Sequence, residues 1–142
     1  MVKLKRRKSR EKAIILLYQC DLLGKNPDSV LEAEKNFGNE IDVFTIKLAK
    51  GVTENKIEID SIIKDTVKNW ELDRIAIIDR NIIRVAIYEM IYEEDIPLKV
   101  SVDEAIEIAK TIGQKDDTPK FVNGILGKIF QKMEKIPEED II

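Results

Sequence analysis

Seven of the first twelve residues are cations: Lys3, Lys5, Arg6, Arg7, Lys8, Arg10 and Lys12, set against the single acid Glu11. Cations at this density suit one chemistry above others, the binding of phosphate oxygens. Guanidinium groups meet an oxyanion with paired, charge-assisted hydrogen bonds. The segment carries +6, and because the whole chain carries −3 the remainder carries −9. Charge divided in this way points to a basic nucleic-acid arm on an acidic body; a solvated tail that limits aggregation is the plain alternative. If these residues open a helix they oppose its dipole at about 0.3–1 kcal/mol each at low salt, so a compensating anion is required nearby.

Other chemistry is sparse. Arg80 and Arg84 stand one helical turn apart within an apolar stretch, and Asp79 is placed to cap a helical segment. An arginine in such surroundings needs a carboxylate, and Glu104 is the expected partner of Arg84, as an internal ion pair rather than a catalytic one. The acid runs Glu93-Glu94-Asp95 and Asp103-Glu104 read as solvated helix faces rather than a magnesium site. There is no histidine, hence no imidazole base or ligand, and Cys20 stands alone, so neither an intrachain disulfide nor a thiolate zinc site is expected. No G-x-S-x-G, phosphate loop or G-x-G-x-x-G after a strand is present. No catalytic residue, metal ligand or cofactor is assigned. A binding protein, not an enzyme, is the economical reading.

The elements that must position the cations are helical. The chain has 142 residues, 44% hydrophobic and 36% charged, with four prolines and six glycines, which suits one charged helical domain. No apolar run approaches ~18 residues, so no membrane span or secretory leader is expected, and the cytoplasm is the expected compartment. The stretch 72–110 organises the rest: Ile75, Ile78, Ile82, Val85, Ala86 and Met90 recur at steps of three and four, flanked by Ile83 and Ile87. Ile82, Val85 and Ala86 should be buried. Pro97 ends that helix, and Ser101 with Glu104 has capping-box spacing for the next, stopped by Gly113. The apolar run 13–18 implies that helix 1 is buried on more than one side. Asn26-Pro27 and Thr118-Pro119 are cap-and-start pairs, and Asn39 or Glu40 opens helix 3, which Gly51 can loosen. Asn123-Gly124 is a hairpin signal, but Phe121, Val122, Ile125, Leu126, Ile129, Phe130 and Met133 keep helical spacing across it. Gly124 and Gly127 would then admit a neighbouring helix. The expectation is an all-α protein without strands, helical near 5–23, 27–37, 40–54, 56–69, 73–93, 101–113 and 119–134, in one domain (1–142) with a basic arm at 1–12.

Several segments carry a family resemblance. W-E-L-D-R-I at 70–75, I-D-R-N-I-I-R-V-A-I-Y-E-M at 78–90, D-I-P at 95–97, V-D-E-A-I-E-I-A-K at 102–110 and K-F-V-N-G-I-L at 120–126 resemble the NusB family of bacterial transcription antitermination factors. The basic start running into A-I-I-L-L-Y-Q-C-D at 13–21 fits the same pattern, whereas 26–66 contributes little.

The resemblance implies about seven helices in two packed small bundles set nearly at right angles. It implies binding to boxA RNA of ribosomal-operon leaders, together with NusE, a small ribosomal subunit protein, and association with other Nus factors and RNA polymerase to pass terminators. It places RNA on Lys3, Arg6, Arg7, Arg10, Lys120 and Phe121, and NusE against Tyr18, Leu22, Asp79 and Tyr88. Phe121 reads equally as a stacking platform or as core. Some family members self-associate, so a homodimer is open to this chain. Similar domains precede the catalytic domain of some RNA cytosine methyltransferases; no such domain follows residue 142, so a free-standing enzyme is not expected. A pure protein adaptor is the remaining alternative.

Overall fold

A helix that is apolar over most of its circumference has to be covered on most sides, and this requirement sets the architecture. The computed structural model describes residues 2–68 and 71–141, with side chains described over 5–68 and 71–134. The chain runs α1 (Val2–Leu23), α2 (Pro27–Asn36), α3 (Val43–Glu54), α4 (Lys56–Thr66), a 3-10 turn (Leu72–Arg74), α5 (Ile77–Tyr92), α6 (Leu98–Ile112) and α7 (Thr118–Ile141). Among the described residues there is no strand. Every residue of 81–90 is buried, so α5 is the central element, and Ile82, Val85 and Ala86 lie within it as the periodicity requires.

Two small bundles share that centre. α1 packs on α3 and α5 with α2 across α1 and α3, while α6 packs on α5 and α7 and α4 closes against α5 and α7. One core runs through both, joining Ala13, Leu48, Ile59, Ile83, Ile108 and Leu126 from six helices. A smaller cluster of Leu16, Cys20 and Val30 seats α2 on α1. Each fully buried isoleucine or leucine stabilises the fold by about 1.5–3 kcal/mol relative to exposure.

Local chemistry fixes the ends. Asn26 Oδ1 accepts from Ser29 N at 2.9 Å, with Pro27 at the start of α2. Gly24 and Gly38 adopt φ of +66° and +83°, the left-handed region where glycine has no Cβ penalty, and end α1 and precede α3. The basic segment forms the opening turns of α1.

Several expectations are corrected. α3 starts at Val43 with Asp42 as cap, not at Asn39 or Glu40. The stretch expected as one helix from residue 73 is a 3-10 turn followed by α5, since Ile75 and Ala76 take extended backbone. Ser101 does not cap α6, which begins at Leu98 after Pro97; its hydroxyl donates to Glu89 Oε1 at 3.1 Å. Asp79 sits in the first turn of α5, and its carboxylate accepts from Gln114 N at 2.8 Å and Thr118 Oγ1 at 3.1 Å, so it holds the turn between α6 and α7. Gly51 does not loosen α3: a Cβ there would lie 2.3 Å from the Tyr88 ring, so the glycine lets α5 approach. Gly124 and Gly127 face open space and admit no neighbouring helix. Trp70 lies outside the described residues.

Candidate nucleic-acid interface

The opening turns of α1 bring three arginines onto three different helices. Arg10 shares the buried stripe of Ala13, Ile14 and Leu17, at offsets of three, four and seven. It therefore points inward, and Arg10 Nε and Nη2 donate to Glu89 Oε2 and Oε1 of α5, both at 2.8 Å. Arg7, one turn earlier, donates from Nε and Nη2 to Glu104 Oε1 and Oε2 of α6 at 3.1 and 2.7 Å. Arg10 Nη1 reaches the same Glu104 at 3.5 Å. Arg6 lies over the Phe44 ring of α3, 4.7 Å from its centroid, and Arg10 approaches that ring at 5.6 Å.

The compensating anions that the cation cluster demands are thus supplied in part by the protein. Glu104 is not the partner of Arg84: Arg7 and Arg10 of α1 take both its oxygens. Arg84 pairs instead with Asp60 of α4, by Nε and Nη2 at 2.7 and 3.0 Å, and with Asp21 of α1 at 2.8 Å. The internal ion pair expected of Arg84 is present; its partners come from the opposite side of α5.

Charge and burial tune these groups in opposite senses. The fork from Glu104 raises the Arg7 pKa further above its ordinary value, against desolvation, so Arg7 stays cationic. Burial pushes the Asp21 carboxyl up, but the hydrogen bond from Asn81 and the charges of Arg84 and Lys56 outweigh it and hold the group below the usual range. Asp42 is likewise held low: burial opposes, but Thr45 and Ser9 hydrogen bonds prevail. Ser9 Oγ donates to Asp42 Oδ2 at 2.7 Å, tying the cap of α3 to the basic turn.

The remaining expected RNA residues sit elsewhere. Lys120 is exposed on α7, and Phe121 is half-buried against the main core. Phe121 lines a surface cleft with Thr66, Val67, Lys68, Gly124 and Lys128. α1 and α7 are not a packed pair; α5 and α6 are the elements that touch both. The aromatic at the arginines is Phe44, not Phe121. The side chain of Lys3 lies outside the described residues.

The residues expected to face a partner do not share one exposed surface. Leu22 is 56% exposed at the end of α1 and Tyr18 is half-buried beside it. Asp79 is buried at the α6–α7 turn, and Tyr88 is buried against Gly51 and stacked on Tyr92 at 5.3 Å.

Sequence reasoning missed Glu89, Phe44 and Asp42. A signal existed for the first: Arg10 keeps step with the apolar face of α1, so an inward guanidinium needed an inward acid, and Glu89 lies in the broadly apolar central helix. No comparable signal marks Phe44, whose place depends on how α3 crosses α1.

Fold and site together define an all-helical protein whose basic helix start is braced on buried carboxylates. The NusB family pattern matches residues 7–131. The transcription antitermination protein NusB of Bacillus cereus is 46% identical over 127 residues, covering 89% of this chain and 97% of the relative. The solved NusB of T. maritima is 35% identical with a TM-score of 0.77, covering 87% of this chain and 89% of that one. A crystal structure of antitermination factors NusB and NusE in complex with dsRNA matches at 26% identity and a TM-score of 0.76, covering 93% of this chain and 99% of that one. The chain belongs to the NusB family, whose relatives here are transcription antitermination proteins.

Proposed function

We propose that this protein is an antitermination factor that binds boxA RNA of ribosomal-operon leaders together with NusE, and in concert with other Nus factors and RNA polymerase helps transcription pass terminators. The observation that carries the reading is the basic opening of α1, where Lys5 and Lys8 are exposed and Arg6 and Arg7 half-exposed, on a fold whose solved relative is held with NusE and RNA. Lys3, Arg6, Arg7, Lys120 and Phe121 serve as RNA contacts, and Arg10 supports them from its buried place behind Arg7. Tyr18 and Leu22 offer the accessible part of the NusE face, while Asp79 and Tyr88 are buried in α5. The role is binding rather than catalysis, and the cytoplasm is its setting. Among the described residues no helix is long and apolar enough to cross a membrane. Residues 1–142 act as one domain, a reading supported by the core that runs through both bundles.

The test is electrophoretic mobility of a boxA-type RNA with this protein, with and without NusE. A shift that strengthens with NusE and falls steeply with salt supports the proposal. No shift under either condition would leave a protein adaptor as the better reading.

A further inference from the structure

Glu104 is an acid in the middle of a surface read here as binding RNA. Simple electrostatics makes it a liability, since a carboxylate repels phosphate. Its geometry says otherwise. The Glu104 side chain is 4% exposed, while that of Arg7 is 26% exposed. The carboxylate therefore lies beneath and the guanidinium above it. Arg7 uses Nε and Nη2 for the fork, and its Nη1 bonds to no other described residue. Glu104 Oε1 also takes Arg10 Nη1 at 3.5 Å, so two arginines neutralise its charge. Arg10 is in turn fixed by Glu89 and Ser101 shares that acid, which makes the base of the arrangement rigid.

We propose that Glu104 is a positioning residue for RNA: from within α6 it clamps one edge of the Arg7 guanidinium and presents the outer nitrogen to a phosphate oxygen. An arginine at the start of a helix, beside Arg6 and Arg10, is otherwise pushed away by like charge and by the helix dipole, and must be immobilised when RNA arrives. The fork removes that ordering cost before binding. The inference rests on the proposed RNA-binding reading of Arg7.

The test is fluorescence anisotropy of a labelled boxA-type RNA oligonucleotide with the full chain, in wild type, Arg7→Ala, Glu104→Gln and the double variant. Arg7→Ala is expected to weaken binding and to lower the salt slope by about 0.7. Glu104→Gln, although it removes a negative charge, is expected to weaken binding by about threefold to tenfold, and to have no further effect when Arg7 is already alanine. Equal or tighter binding by Glu104→Gln overturns the inference, as does an equal loss in the Arg7→Ala background, which would mark a purely structural effect. An Arg7→Ala protein with unchanged affinity and slope removes the phosphate contact itself, a distinct failure. If thermal melting shows Glu104→Gln unfolded, Arg7→Lys decides: it keeps the charge but lacks the two-pronged edge, so a several-fold loss is expected and full affinity overturns the clamp.

Discussion

Arg10 and Glu89 form a two-pronged ion pair at 2.8 Å on both bonds, across 79 positions of sequence, with side chains only 4% and 1% exposed. It joins the basic start of α1 to the central helix. The same residue type therefore has two uses within one turn: Arg10 is interior structure, and Arg7 is half-exposed surface held by structure. Density of positive charge alone does not separate them; helical phase does.

Breaking this pair from one side leaves a buried charge without a partner. Arg10→Ala should destabilise the fold by about 3–5 kcal/mol, and Glu89→Gln by a similar amount. Replacing both by apolar residues of like volume, as Arg10→Met with Glu89→Leu, should recover most of the loss. Urea unfolding of the set checks this; additive losses in the double variant would show that the two residues act independently.

Arg84 makes the corresponding contact on the other side of α5, 2% exposed and bound to Asp60 and Asp21. Arg84→Ala should cost about 3–5 kcal/mol, by the same argument. Thermal melts would contradict the assignment if the transition were unmoved.

The helices were legible because α5 and α7 keep apolar spacing over many residues, strong enough in α7 to override Asn123-Gly124. Arg84 was legible as an ion pair but its partner was not. Glu104 stood closer in sequence than Asp21 or Asp60, yet partner choice depends on which face of α5 each helix covers, a tertiary matter. The cations at 3–12 were legible as a cluster, and Arg10 could have been set apart by its phase with Ile14 and Leu17. What spacing could not show is that α6 passes beneath Arg7, or that Phe44 of α3 lies under Arg6.

Gly51 is a packing device for Tyr88. Gly51→Ala would place a Cβ 2.3 Å from the ring, so Tyr88 or α3 must shift, and overpacking of this kind costs about 1–3 kcal/mol. In a Tyr88→Leu background the same substitution should cost clearly less, because the clashing ring is gone. A double-variant cycle by denaturant unfolding reads the difference, and strict additivity would refute the contact.

Acid should weaken the fold through Asp21 and Asp42. Both carboxyls are held below their ordinary value in the folded protein, Asp21 by Asn81 and Arg84 and Asp42 by Thr45 and Ser9, in each case against burial. A depressed folded pKa contributes stability that is present above the unfolded value of about 3.9 and is lost as pH falls through the folded one. Melting temperature should therefore fall below about pH 4, and Asp21→Asn should be less stable at neutral pH yet lose less on acidification. A parallel fall in wild type and Asp21→Asn would exclude Asp21 as a source.

Phe121 belongs both to the core and to a surface cleft. It packs against the main cluster, and it lines the opening between α4 and α7 with Gly124, Lys68 and Lys128. An aromatic edge with two lysines beside it suits a base with its flanking phosphates, and Gly124, where a Cβ would meet nothing, leaves the cleft open. Phe121→Ala should thus act twice. Lost packing should lower stability by about 1–3 kcal/mol, less than full burial would, because the ring is only partly covered. Lost stacking should weaken RNA binding by about 1–3 kcal/mol with little change in salt slope, since no charge is removed. Lys120→Ala should do the reverse, leaving stability alone and lowering the slope by about 0.7. Anisotropy and thermal unfolding on the same samples separate the two effects. A folded Phe121→Ala protein with undiminished affinity would confine this ring to the core and leave the opening of α1 as the RNA contact.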